Sequence, residues 1–396
     1  MNVKGLQVGS VTTQFKFMAP ELRFDGFTGA WEEKRFDELL TVNSGRDYKH
    51  LDNGTIPVYG TGGYMLSVDE KLSDVDGVGI GRKGTIDKPQ YLKAPYWTVD
   101  TLFYLTMNMG FDLRFFYTMA QRIDWKMYNE ATGVPSLSKT VIENIEQYLP
   151  DYNEQAAIGN FFRNLDDTIA LKKQQCEQTA NVKKAMLEKM FPKKGADVPE
   201  IRFDGFTGAW ETKLLSDVAN IIGGGTPSTS VAEYWGGNID WYSPIEIGDR
   251  VYADKSQRTI TELGLSKCSA AILPTNRTIL FTSRAGIGDM AILTKDAATN
   301  QGFQSLVMKA GYDVYFTYSM GDKIKDYALR NASGSTFLEI SGKMLGLMPI
   351  LFPSIDEQIA IGNFFRSLDT LIETQQQELK KLQNIKKACL DKMFVQ

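Results

Sequence analysis

Gly79-Ile80-Gly81-Arg82-Lys83-Gly84 sets two adjacent cations between glycines, and two chemistries use such a stretch. A G-x-G-x-x-G run that follows a strand and opens a helix cradles a dinucleotide pyrophosphate, with an acidic residue about 20 positions further on. Here Thr85-Ile86-Asp87-Lys88-Pro89 follows, and an Asp-Lys turn next to proline predicts a hairpin instead of a helix. The second chemistry is contact with a polyanion, since a tight turn brings side-chain cations and backbone N–H groups to one surface. Arginine on such a turn reads guanine O6 and N7 or holds a phosphate. Phe281-Thr282-Ser283-Arg284-Ala285-Gly286 is a relative, in which Arg284 and Gly286 stand as Arg82 and Gly84 do. The alternative for both turns is a surface ion pair that recurs with the fold.

Two further loops carry hydroxyls. Tyr59-Gly60-Thr61-Gly62-Gly63-Tyr64 is either a contact loop or a structural hairpin. Gly223–Ser230, GGGTPSTS, lacks the Gly-Lys-Ser/Thr ending of a phosphate loop and reads as a mobile polar loop. The candidate DNA-contact set is therefore Thr61, Gly62, Tyr64, Arg82, Lys83, Thr85, Thr226, Ser228, Ser283, Arg284 and Gly286.

Catalysis finds little to work with, and neither a catalytic nor a metal-binding residue is expected. The single histidine, His50, sits beside Lys49 in a polar stretch and reads as solvated. The three cysteines are too scattered for a disulfide framework or a metal cluster, which suits a reducing cytoplasm. There is no Asp/Asn-Pro-Pro-Tyr/Phe methyltransferase motif, no Walker lysine loop and no Pro-Asp…Asp/Glu-x-Lys nuclease signature. A net charge of −4 gives no overall basic footprint, so binding to nucleic acid must come from local patches or partner subunits. No apolar run reaches the ~18 residues of a membrane span.

What positions these residues is a repeat. FDGFTGAW occurs at Phe24–Trp31 and again at Phe203–Trp210, inside longer echoes that open at Pro20 and Pro199. Asn153–Ile169 is matched by Asp356–Ile372. The order is short motif, variable domain, helical block, then the same again, with the second copy longer between its matched blocks. The variable parts hold β-like runs such as TIPVYG, YWTVDTLFYL, TILFTS and MAILTK, and helix-like segments at Arg114–Tyr128 and Tyr315–Arg330. After Pro150 and Pro353, apolar residues recur at steps of four and three for more than four heptads, a coiled-coil seam. Its leading positions are Ile158, Phe162, Leu165 and Ile169, then Ile361, Phe365, Leu368 and Ile372. Cys176 and Cys389 fall on the same seam and read as core packing.

These blocks strongly resemble the specificity subunit of type I restriction–modification systems. PE-L/I-RF-x-GF-x-x-x-W opens each half and EQ-x-x-IG-x-FF-x-x-LD-x-x-I closes it. The resemblance implies an α+β chain with two mixed α/β target recognition domains, each reading one half of a bipartite double-stranded DNA site. It implies two long helices packed as an antiparallel coiled coil with an internal pseudo-two-fold. The expected order is a loosely ordered leader 1–19, recognition domain 20–152, spacer helix 153–194, recognition domain 195–355 and spacer helix 356–396. The chain itself would hold no cofactor and catalyse nothing. S-adenosylmethionine, ATP and Mg would belong to two modification (methyltransferase) subunits and to restriction (translocase/endonuclease) subunits, in a bacterial or archaeal cytoplasm. Geometry agrees: Ile158 to Met190 spans roughly 48 Å of helix at 1.5 Å per residue. That exceeds the roughly 34–36 Å of one DNA turn between half-sites. The alternative is a duplicated protein–protein scaffold without DNA binding, which the net charge favours; an enzyme acting through His50 or dispersed carboxylates is a third reading.

Overall fold

Two unbroken helices, Tyr152–Lys189 and Ile355–Lys392, follow the prolines as expected, each 38 residues long. Asp151 caps the first, its carboxylate accepting from the Glu154 N–H at 3.0 Å. The sequence Phe191-Pro192 lies just beyond its end, where proline cannot continue a helix. The structure is a computed structural model and describes residues 6–8, 19–248, 250–334 and 338–395. Among these, no helix is long and apolar enough to cross a membrane. The expected loose leader lies outside the described residues at 1–5 and 9–18, while Leu6–Val8 pairs antiparallel with Leu22–Phe24.

The chain forms two compact units, one comprising the chain up to Lys173 with Gln377 onward, the other Gln174–Gln376. In the first unit a four-stranded antiparallel sheet has the order Leu40–Ser44, Leu102–Met107, Gly77–Gly81, Gln90–Leu92. Beside it Gly63–Val68, Asn53–Gly60 and Trp97–Thr98 form a smaller sheet whose last pair is parallel. The run YWTVDTLFYL is thus two strands in two sheets, broken at Val99–Thr101.

The second unit repeats this order. Its larger sheet runs Ala219–Gly223, Gln304–Met308, Thr278–Phe281, Met290–Leu293, with one extra edge strand, Tyr252–Ala253. Its smaller sheet runs Arg258–Ile260, Trp235–Tyr242, Ala297–Thr299, the last pair again parallel. The expected helical segments are each two pieces: Leu113–Ala120 with the 3-10 turn Trp125–Tyr128, and Val314–Ser319 with Gly321–Asn331.

The repeated motifs close each unit in the same way. Arg23 donates to both oxygens of Glu154 at 2.7 and 2.6 Å and to the carbonyls of Gly29 and Thr28. Arg202 does the same to Glu357, at 2.7 Å twice, and to the carbonyls of Gly208 and Thr207. Both glutamates are fully buried. The next residue along each helix, Gln155 or Gln358, accepts from the N–H of Asp112 or Asp313, the N-caps of the short helices. One turn further, a Cβ on Gly159 would lie 2.6 Å from Asp112 Oδ1, and one on Gly362 would lie 2.5 Å from Asp313 Oδ1. Glycine is required there so that the helix can pass against the capped end.

Each core takes the start of one long helix and the end of the other. In the first unit Trp31 and Phe115 meet Phe394 edge-on or tilted, alongside Ile158 and Phe162. In the second, Trp210 and Phe316 meet Phe191, alongside Ile361 and Phe365. The leading seam residues therefore anchor the cores of the units, and half-burial, the signature of a helix pair, begins near Ile169 and Ile372. Leu165 is buried and Leu368 packs against the second core. Ion pairs link the helices within each unit: Asp166–Lys386 and Lys172–Glu378 at 2.7 Å in the first, Lys183–Asp369 in the second.

Removing one partner of a buried pair strands the other charge, at a cost of about 3–5 kcal/mol. Glu154→Ala should therefore lower the melting transition of the first unit, and Glu357→Ala that of the second, in differential scanning calorimetry. Unchanged melting in both variants would refute the structural role of the pair.

Candidate DNA-recognition surface

The glycines of Gly77–Gly81 serve packing. All five residues of this strand are buried, and it turns antiparallel into Gln90–Leu92, the hairpin expected from the sequence. A Cβ on Gly77 would come 2.5 Å from the Tyr96 hydroxyl, and one on Gly81 would overlap the Thr85 carbonyl. No helix N-terminus follows to receive a pyrophosphate.

Three loops of the first unit are tied to one short segment, Thr98–Thr101. The Arg46 N–H donates to Thr98 O at 2.8 Å, the Val99 N–H donates to Tyr59 O at 3.0 Å, and the N–H groups of Arg82 and Lys83 donate to Thr101 O at 2.8 and 3.3 Å. Thr61 and Gly62 at the hairpin tip are thereby brought to the same region as Arg82 and Lys83. Gln90 Nε2 pins that tip through Gly60 O and Thr61 O at 2.8 and 3.3 Å. Tyr64 is exposed, edge-on to Tyr59, with its hydroxyl 3.2 Å from Ser67 Oγ. Thr85 is half-buried.

The second unit repeats the arrangement on Thr299–Gly302. Gly225 N–H donates to Thr299 O at 2.8 Å, Asn300 N–H to Tyr242 O at 3.0 Å, and Ser283 N–H to Gly302 O at 2.8 Å. These bonds correct the equivalences read from the sequence. Ser283 holds the place of Arg82, because both N–H groups bond the same segment and their carbonyls accept from Ile340 and Leu137 respectively. Arg284 therefore corresponds to Lys83.

Ser283 itself is buried, its hydroxyl 3.4 Å from Glu339 Oε1, and is closed off from any surface ligand. Arg284 is half-buried and Gly286 exposed. The Gly286 carbonyl accepts from Thr282 Oγ1 at 2.5 Å, and its φ of +112° suits glycine.

Thr226 and Ser228 are exposed, bonded to Gln301 and to Ser230. Their loop, expected to be mobile, is held by the Gly225–Thr299 bond and by Trp241 Nε1 donating to Gly225 O at 2.9 Å. By its bonds, the counterpart of the Thr61–Gly62 tip is Pro244-Ile245, which follows Tyr242 as Thr61-Gly62 follows Tyr59.

Arg82 and Lys83 are exposed, and among the described residues neither they nor Arg284 make an ion pair. Arg82 instead lies over the Phe103 ring at 5.8 Å, with Nη1 3.5 Å from the Asp100 carbonyl. Among the described residues the ion-pair reading of these turns finds no partner. Asp87, which follows the first turn, is held 2.7 Å from Lys126, and that hydrogen bond keeps its carboxyl below the ordinary value.

Sequence reasoning missed Arg46, exposed and tied to Thr98, and Arg258, whose guanidinium lies 3.5 Å from the centre of the Trp235 ring. Nothing in local sequence brings Arg258 to Trp235; a β-bulge in the Trp235–Tyr242 strand does. His50 is exposed, edge-on to Trp97 at 6.1 Å. Cys389 is buried, and burial pushes its thiol up, as core packing requires. Among the described residues no group of three metal-ligating side chains converges. A cleft lined by Arg122, Asp166, Lys386, Lys387 and Asp391 runs beside the helices of the first unit, with its charges of mixed sign.

The repeated unit, a pinned three-loop surface on two sheets closed by a long helix, defines a duplicated α+β scaffold. The family described as type I restriction modification DNA specificity domain matches residues 29–180 and 208–384, and the chain belongs to that family. The MjaIX type I restriction enzyme specificity subunit of Methanocaldococcus jannaschii is 37% identical over 184 residues, 44% of this chain and 41% of its own length. The EcoR124I/EcoR124II specificity subunit of Escherichia coli is 32% identical over 171 residues, 41% of this chain and 42% of its own length. The chain thus spans about two fifths of those relatives. The S subunit of a type I restriction-modification system from M. genitalium shares the fold, with a TM-score of 0.67 at 17% identity over 95% of this chain and 99% of that one.

Lys83→Ala, removing a point charge, should weaken binding to all DNA sequences alike and flatten the salt slope by about one unit. Arg82→Ala should relax one base position of one half-site by tenfold or more if it forks onto guanine, a contact of about 1–3 kcal/mol. Arg284→Ala should affect the other half-site only. Methylation of libraries randomised in each half-site reads all three, and equal defects in both half-sites would contradict independent surfaces.

Proposed function

We propose that the chain is the DNA sequence-recognition subunit of a type I restriction–modification complex, reading a bipartite duplex target with one unit per half-site. The observation that carries this is the duplicated three-loop surface, whose cations in each unit, Arg82 and Lys83 or Arg284, have no carboxylate partner among the described residues. A cation without a carboxylate partner on a pinned turn, exposed at Arg82 and Lys83 and half-buried at Arg284, suits phosphate or a base edge at little ordering cost. The subunit itself catalyses nothing in this reading and binds no cofactor. Two modification subunits would bring S-adenosylmethionine, restriction subunits would bring ATP and Mg, and the setting would be a bacterial or archaeal cytoplasm.

The long helices act here as a ruler. The half-buried stripe beyond Ile169 and Ile372 and the ion pairs within each unit support an antiparallel coiled coil. With such a pair the two units would be related by a pseudo-two-fold and face two half-sites on one side of the duplex. A protein–protein scaffold would give no salt-dependent shift of random DNA. Gel shifts with the chain alone and with co-expressed modification subunits separate the two readings, and the complex should lose affinity steeply as salt rises.

A four-residue insertion within 174–181 keeps the stripe near phase and lengthens the helix by about 6 Å. At about 3.4 Å per base pair, the unspecified spacer of the methylated site should grow by one or two pairs while the half-site bases stay the same. A motif with unaltered spacing would overturn the ruler.

A further inference from the structure

Ile245 is 88% exposed, a large aliphatic side chain held in water. Its loop is clasped tightly. Glu246 Oε1 accepts from the N–H and the hydroxyl of Ser243, both at 2.8 Å, and Oε2 accepts from Gln257 N–H at 2.6 Å. Pro244 fixes the backbone before it, and its ring stands where a Cβ on Gly302 would come 2.7 Å from its Cγ. Ile247 turns back into a buried cluster with Tyr242 and Phe303. The single carboxylate of the loop is consumed by these three bonds, so the tip presents an apolar group on a rigid support. Gly302, which packs against Pro244, also accepts the N–H of Ser283 at 2.8 Å, so Ile245 and the Arg284 turn share one anchor.

We infer that Ile245 is a specificity-determining residue of the second unit, which makes an apolar contact with a thymine 5-methyl group in the major groove. This rests on the DNA-recognition reading and goes further than it, to one side chain and one base. Position supports it: Pro244-Ile245 holds the place of Thr61-Gly62, and each tip follows a tyrosine whose carbonyl accepts from the segment that ties the cationic turn. Chemistry selects the partner. An aliphatic side chain gains nothing from phosphate or sugar oxygens, and the thymine methyl is the apolar group that a base pair displays in the major groove. The first unit has glycine at this position, so the contact belongs to one half-site alone.

The test uses the full chain with its modification subunits and a duplex carrying the methylated motif. Thymines of the second half-site are replaced one at a time by deoxyuridine, which lacks only the methyl group. Wild type should lose about fourfold in affinity at one position, the worth of one buried methyl. Ile245→Ala should show a similar loss on thymine and no further loss on uracil, while Ile245→Leu should retain most of the discrimination. Uracil tolerated at every position, a second half-site without thymine, or an Ile245→Ala variant that still distinguishes thymine from uracil would each overturn the inference. A wild-type complex that binds no duplex would overturn the recognition reading and this inference with it.

Discussion

A fully buried carboxylate cannot be left without a partner, and each unit is organised around that constraint. Glu154 and Glu357 sit at the start of a long helix with no exposure to water, and each is answered by a two-pronged arginine from the opening motif. The same arginine holds the carbonyls of the Phe-Asp-Gly-Phe-Thr-Gly turn, whose first and last glycines, Gly26 and Gly29 or Gly205 and Gly208, take positive φ. Two residues on, the motif ends in a tryptophan that closes the core over the end of the other long helix. The octapeptide recurs because the same buried charge must be met twice. Burying such a pair costs as much as it gains, but its fork geometry fixes how motif and helix join.

Much of this was legible in the sequence. The duplicated blocks marked the frame, the break at proline set the helix starts, and the residues after Gly84 pointed to a hairpin. The strands TIPVYG, TILFTS and MAILTK fall where alternation and turn residues put them. The seam was legible as a period but not as a location. Ile158 and Phe162 have the spacing of a helix pair, yet they pack on Trp31 and Phe115, because one stripe serves two neighbours in succession.

The surface was harder to read. Aligning Arg284 with Arg82 follows letters, whereas sheet register aligns it with Lys83, since strand pairing counts residues from hydrogen bonds and not from resemblance. The same shift places Ser283 in the interior, and only the hydrogen bonds of Tyr59 and Tyr242 show that Pro244-Ile245 is the counterpart of the Thr61-Gly62 tip. Arg46 and Arg258 carry no local signal, because their neighbours come from distant strands. The division follows from the physics: the frame is fixed by a buried charge and by glycines with no room for a side chain. The loops it ties down meet solvent and are free to differ.

On the proposed recognition role, two surfaces on one repeated frame imply a target with two specified parts. Methylome sequencing of cells carrying the chain with co-expressed modification subunits tests that most directly. The account predicts one methylated motif made of two specified half-sites, separated by a spacer of fixed length and unspecified sequence. A single uninterrupted motif, or no motif that depends on the chain, would contradict it.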